Sequence, residues 1–314
     1  MATDERNFRS SYYEKVGFRS VEEKKSLEIL LKDNKTLDKV KLQQFCLRFT
    51  VPGIYRNFVW KVLLNVLPVH VESHKFVMEQ REQEYNDLVH ALQLMRIVDD
   101  QTPKPELFLL MWLLERGRLK YDWNTQIDNH LHQSLCRISQ SLLNVFDNDV
   151  DIYWISKGFF KFVDKFHNDV PRLIHFTRNL LEKEDQELFN HLLNIGALNA
   201  IPLQNWFCSC FAGAISEPSL GKIWDKLAGG SCRVLMYVAV VILITVRRHL
   251  LKCLMTENVL KCLNSITEEM AEVIVNKAIE MWQQCGSFLT PGTGPDSLKA
   301  HLPVSRSKAV QNIT

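Results

Sequence analysis

No part of this 314-residue sequence is apolar for long enough to cross a bilayer, which takes roughly 20 consecutive apolar residues. The nearest approach, VLMYVAVVILITV at 234–246, is too short, and the Gly229-Gly230 pair and Arg233 close it off upstream. It is expected to be a core helix buried all round, with Arg247, Arg248 and His249 complementing the negative end of its dipole. An excess of one charge is lacking too. Lys and Arg total 38 against 36 Asp and Glu, and a net charge of +2 gives no long-range pull toward nucleic acid. The opening MATDERNFRSSYYEK holds no apolar segment of the secretory kind, so a cytoplasmic protein without membrane insertion is expected. The tripeptides at Asn34 and Asn312 that match a glycosylation sequon are therefore read as silent.

Signatures of chemistry are equally scarce. There is no G-x-x-x-x-G-K, G-x-S-x-G, H-E-x-x-H or G-x-G-x-x-G. The eight cysteines sit mostly in apolar segments such as 206–211, which suggests reduced core thiols. Cys208 and Cys210 form an isolated C-x-C with no second pair, so no zinc site is expected. DNDVD at 147–151 places Asp147, Asp149 and Asp151 as a calcium loop would. Its sixth position is Ile152 where glycine is needed, and its twelfth is Gly158 where a bidentate Glu is needed. A helix N-cap by Asp149 or Asp151 is the better account. His191, on an apolar helix face, reads as a satisfied core residue. Neither metal nor cofactor is expected.

Runs rich in Val, Ile and Thr between hairpin turns are missing as well, and almost every long segment has helical periodicity. The fold class is all-α, and 46% hydrophobic residues suffice for a sizeable core. The pattern predicts helices near 21–32, 39–47, 54–66, 72–98, 105–117, 128–146, 150–167, 171–182, 185–194, 202–212, 218–228, 231–253, 256–264 and 267–284. Proline and glycine stand at the joints, and 120–128 reads as a long polar loop. No repeat of 20 to 50 residues argues for a solenoid. The organisation expected is an N-terminal helical extension over 1–49, a principal domain over 50–231, further helices packed on it over 232–285, and a disordered tail over 286–314, rich in Gly, Pro and Ser.

One helix looks too apolar for its place. LFLLMWLL at 107–114 covers every face at 100° per residue. One reading makes Phe108, Leu109, Met111 and Trp112 an exposed patch that receives a partner helix; the other makes all eight positions core.

A run in the second half is more specific. Leu188, His191-Leu192, Pro202, Trp206-Phe207, Phe211, Pro218, Ile223-Trp224-Asp225 and Gly229-Gly230, in that order and spacing, resemble the C-terminal half of a TBC domain. Upstream, Pro52, Arg56 and Trp60 in VPGIYRNFVWKVLL match the family's Pro-x3-Arg-x3-Trp pattern. The resemblance implies a two-lobed helical fold and kinship with activators of Rab-type GTPases. On their own spacing Arg56 and Trp60 share one helix face, so the Trp can anchor the core while the Arg pairs with a carboxylate.

Active members of the family insert an Arg and a Gln beside the bound nucleotide. The Arg comes from Ile-x2-Asp-x2-Arg and the Gln from Tyr-x-Gln-Gly. Here Ile97 and Asp100 fit the first motif, but Pro103 stands at the Arg position, and Lys104 beside it lacks the bidentate fork of a guanidinium. The second motif falls near His132 and Ser134, or with a one-residue shift on Gln133, without the flanking Tyr and Gly. An arginine finger is worth about 10³ to 10⁵ in rate. The resemblance therefore implies a non-catalytic scaffold, with the alternative of a working Rab activator that uses Lys104, Arg96 or Gln133. The stretch 6–33 and IVDDQTP are most similar to the family's branch found in the tuberous sclerosis complex. That similarity implies binding to the hamartin coiled coil and through it to tuberin, support of tuberin's action on Rheb, restraint of mTOR signalling, and peripheral recruitment to lysosomes and cytoplasmic vesicles.

Overall fold

The computed structural model describes residues 21–32 and 36–286. The expected tail beyond 286, both sequons and most of the 6–33 stretch lie outside the described residues. The helices run in the order α1 Val21–Leu31, α2 Lys39–Arg48, α3 Gly53–Leu63, α4 His74–Leu94, α5 Lys104–Glu115, α6 Trp123–Ile127, α7 His130–Leu143, α8 Asp149–Phe166, α9 Val170–Glu184, α10 Gln186–Asn194, α11 Leu203–Cys208, α12 Glu217–Ala228, α13 Val234–Thr245, α14 Arg247–Leu250, α15 Thr256–Leu263 and α16 Glu268–Gly286. No strand forms among the described residues, only two isolated bridges. The fold is all-α and two-lobed, as the periodicity and the resemblance predict.

In one lobe α4, α5, α7 and α8 pack together; in the other α13 lies against α9, α11, α12 and α16. Contacts of α12 with α2 and α3, and of α11 with α7, join the two. A single apolar core runs from Leu27 to Trp282. At its centre Trp60 of α3 meets Phe159 edge-on at 5.6 Å, and Phe159 packs at a tilt against Trp224 of α12 at 4.7 Å. Gly158 lets α8 approach α3 this closely, because a Cβ there would come within 2.7 Å of the Leu64 side chain.

The apolar helix α13 is buried at every position from Val234 to Leu243, and no described helix is long and apolar enough to cross a membrane. It stops earlier than the predicted 231–253. Val246 leaves helical geometry, and the chain restarts as the short α14. The break turns Arg247 onto the start of α10, where its Nε donates to Asp185 Oδ2 at 2.6 Å and its Nη2 to Glu187. Asp185 in turn caps α10 through the Leu188 N–H. Arg247 thus serves a neighbouring helix rather than the dipole of its own.

Three further expectations are corrected. The predicted helix 202–212 ends at Cys208, because Cys210 and Phe211 take left-handed backbone angles (φ 50° and 65°). This tight turn aims the Cys210 carbonyl at the Trp224 indole, which donates to it at 2.9 Å. The N-cap of α8 is Asn148, whose side chain accepts from the Asp151 N–H, while Asp149 and Asp151 pair with Lys104 and Lys61. Finally, Phe108, Leu109, Met111 and Trp112 form no exposed patch. Each is at most 2% exposed, because α4, α7 and α8 surround α5.

Candidate functional site

The segment between α4 and α5 carries the positions that the family resemblance assigns to catalysis. Arg96 turns the chain out of α4 in the left-handed region (φ 58°), with its side chain exposed. Asp99 then ties the following turn: its carboxylate accepts from the Gln101 N–H at 3.0 Å and the Thr102 hydroxyl at 3.1 Å, while Thr102 Oγ1 accepts from the Asp99 N–H at 3.0 Å. Asp100 is exposed at the turn's apex. Pro103 caps the entry to α5, where its ring pre-sets the backbone but offers no donor. Lys104, the adjacent cation, lies 2.7 Å from Asp149 at the start of α8, so its charge is engaged within the fold.

The second set lies on α7. His132 places Nδ1 against the Gln126 carbonyl, and Ser134 is buried and donates to the His130 carbonyl at 2.9 Å. Both therefore serve local structure. Gln126 holds the preceding loop together, accepting from the Lys120 N–H and donating to the Arg118 carbonyl. Gln133 is exposed on the outer face of α7. The side chains of Arg96 and Gln133 make no hydrogen bond or ion pair among the described residues.

The second signature converges on one carboxylate. Asp225, fully buried on α12, accepts from Arg56 Nε at 3.1 Å, Arg56 Nη2 at 3.3 Å, Trp60 Nε1 at 3.0 Å and the Val51 N–H at 2.9 Å. Arg56 Nη2 also donates to the Val51 carbonyl at 2.8 Å. The guanidinium fits because residue 221 is glycine: a Cβ there would lie 2.6 Å from Arg56 Nη1. Pro52 starts α3 so that Arg56 and Trp60, one turn apart, both face α12. Beside this hub Trp206 packs on Phe211 at 5.6 Å.

Sequence reasoning missed Lys226. It is fully buried, and its ammonium donates to the carbonyls of Cys46 at 2.7 Å and Phe49 at 2.6 Å, closing the C-terminal end of α2. Two charges side by side, Asp225-Lys226, in an otherwise apolar segment were the available signal. A second omission is Trp154, whose ring has the Arg81 guanidinium 4.1 Å and the Lys157 ammonium 4.0 Å from its centroid. Lys157 is paired with Glu115, and burial holds its pKa below the ordinary lysine value despite that partner.

One Cys–His contact has the look of a nucleophile and base: Cys208 Sγ lies 3.7 Å from His167 Nδ1. The thiol is buried, and desolvation pushes its pKa up to about 11, so it stays protonated and inert near neutrality. His191 is a structural residue. Its Nε2 faces the Leu250 carbonyl at 3.1 Å and the Cys253 carbonyl at 3.0 Å, and since carbonyls only accept, Nε2 carries the proton. Among the described residues no group of His, Cys, Asp and Glu could hold a metal.

This helical architecture is that of the TBC domains. The chain matches the Rab-GTPase-TBC domain model over residues 127–251. It superposes on the Ypt/Rab-GAP domain of Gyp1p with a TM-score of 0.58 at 15% identity, covering 84% of this chain and 98% of that one. The TBC domain of a Chlamydomonas flagellar RabGAP gives 0.53 at 15% identity, over 77% of this chain and 83% of that one. Sequence relationship reaches further. TBC1 domain family member 7 of Xenopus tropicalis is 45% identical over 288 residues, 90% of this chain and 96% of the relative, and its human counterpart is 42% identical over 285 residues, 90% and 97% respectively. The chain belongs to the TBC1 domain family member 7 group of TBC-domain proteins.

Proposed function

We propose that this protein is a non-catalytic TBC-domain subunit that binds the hamartin coiled coil, supports tuberin's activation of Rheb GTP hydrolysis and so restrains mTOR signalling, with peripheral recruitment to lysosomes. The observation that carries the non-catalytic reading is Pro103 at the start of α5, with Lys104 beside it ion-paired to Asp149. A guanidinium aimed at a transferring phosphoryl group is what this chemistry asks for, and neither residue offers one. The assembly part of the reading rests on the likeness of the 6–33 and IVDDQTP stretches to that branch of the family. Co-expression with the C-terminal coiled coil of hamartin, followed by size exclusion and light scattering, tests it: one co-eluting species of summed mass supports the reading, and separate elution sinks it.

The competing reading, a Rab activator with unconventional donors, draws on one observation, that Arg96 and Gln133 are both exposed without partners among the described residues. Single-turnover GTP hydrolysis by a panel of Rab-type GTPases separates the two. Acceleration abolished by Arg96→Ala or Gln133→Ala establishes the enzyme.

A further inference from the structure

Two thiols that play no part in the reading above are brought together at the edge of the second lobe. Cys253 follows α14, Cys262 lies in the last turn of α15, and their sulfurs are 3.9 Å apart. The Cys253 thiol donates to the His249 carbonyl at 3.3 Å, which orients it beside α15. The backbone on both sides is anchored: the Cys253 carbonyl accepts from His191 Nε2, and the Cys262 carbonyl accepts from Ser265 Oγ at 2.8 Å. Cys253 is 6% exposed, whereas Cys262 is half-buried and opens to solvent.

We propose that Cys253 and Cys262 form a reversible intramolecular disulfide on exposure to hydrogen peroxide. A disulfide needs the sulfurs about 2.05 Å apart, so roughly 2 Å of closure from the observed 3.9 Å contact is required. The Cys262 thiolate attacks a peroxide oxygen; an S–O bond forms, the O–O bond breaks, and the released hydroxide takes up a proton as water. Cys253 then attacks the Cys262 sulfenic sulfur. The S–S bond forms, the S–O bond breaks, and the second water leaves with the Cys253 proton. Two thiols are oxidised by two electrons, and the peroxide is reduced to two waters.

Cys46 and Cys210 are sealed in the core, and the exposed Cys285 has no partner sulfur among the described residues. Burial raises the pKa of the Cys253 thiol, so the more open Cys262 is the thiol that meets the peroxide first. The consequence is local. Leu254 (81% exposed) and Met255 (59%) lie inside the segment that the bond would close, so oxidation state sets the mobility of an apolar surface loop.

The test uses the full chain carrying Cys285→Ser, treated with an equimolar amount of hydrogen peroxide, alkylated, and analysed by intact mass and non-reducing peptide mapping. The expected product has lost two hydrogens, contains one linked peptide joining residues 253 and 262, and reverts with dithiothreitol. It is lost in Cys253→Ser, where dimedone traps a sulfenic acid on Cys262 instead. Both cysteines remaining alkylatable in the folded protein, or Cys262 passing to sulfinic acid without a linked peptide, overturns the proposal. Peptide mapping of the parent protein decides the matter even if a serine variant folds poorly.

Discussion

Asp225 illustrates how one buried charge is made tolerable. Four donors converge on it, and the Arg56 side chain it neutralises is itself only 11% exposed. Removing one member of such a pair leaves the other uncompensated in the interior, which costs about 3–5 kcal/mol. Asp225→Asn is therefore expected to lower unfolding stability by that amount in urea titration, although the shape is nearly unchanged. Gly221→Ala strikes the same site from the other side. Its Cβ would displace the Arg56 guanidinium, and overpacking of this kind costs about 1–3 kcal/mol. In a double-mutant cycle with Arg56→Met the two effects should be less than additive; strict additivity would show that glycine is not there for the arginine. The pairing of Arg56 with some carboxylate was legible from four-residue spacing alone. Which carboxylate, and the need for a glycine opposite, was not, because those partners lie more than 160 positions away along the chain.

Among elements, α5 shows where periodicity runs out. An unbroken apolar run has no face, so LFLLMWLL is compatible with burial on every side or with one side left for a partner. The structure surrounds it: Phe108 packs between Tyr85 at 6.3 Å and Tyr153 at 5.8 Å, and Trp112 meets Phe160 at 5.4 Å. Phe108→Ala should then destabilise the protein by about 3–5 kcal/mol, read from chemical denaturation. Any loss of partner binding in that variant should follow the loss of folded protein. If binding vanished while stability held, the helix would have to be exposed after all. The same ambiguity affects α13, and there length resolves it: the run is too short for a bilayer and long enough for the core of a helical domain. Its end at Val246 was not readable, since the partners that Arg247 meets after the break, Asp185 and Glu187, lie about 60 positions away along the chain.

At the scale of the whole molecule, the TBC architecture juxtaposes the α4–α5 turn and α7, the two places from which the family resemblance draws catalytic side chains. In this chain the first holds a proline and a lysine paired with Asp149, and the second holds a histidine and a serine engaged in local hydrogen bonds. The expected outcome is that the purified protein leaves single-turnover GTP hydrolysis by Rab-type GTPases unchanged. On the proposed scaffold reading, introducing Pro103→Arg alone should not confer acceleration, since no glutamine is counted on at the second motif either. A tenfold or greater acceleration by the unmodified protein would refute the scaffold reading.

The sequence by itself determined the fold class, most helix positions and the family, because helical periodicity, prolines at the joints and ordered aromatic signatures are properties of neighbouring residues or of spacing along the chain. It also placed a proline where the resemblance asks for a charge. Only the tertiary structure decided which faces are covered, that Asp225 gathers Arg56, Trp60 and Val51, that Lys226 closes a distant helix, and that Cys253 and Cys262 meet. Burial and hydrogen-bond partnership depend on what the rest of the chain brings to a residue, and no local pattern carries that information.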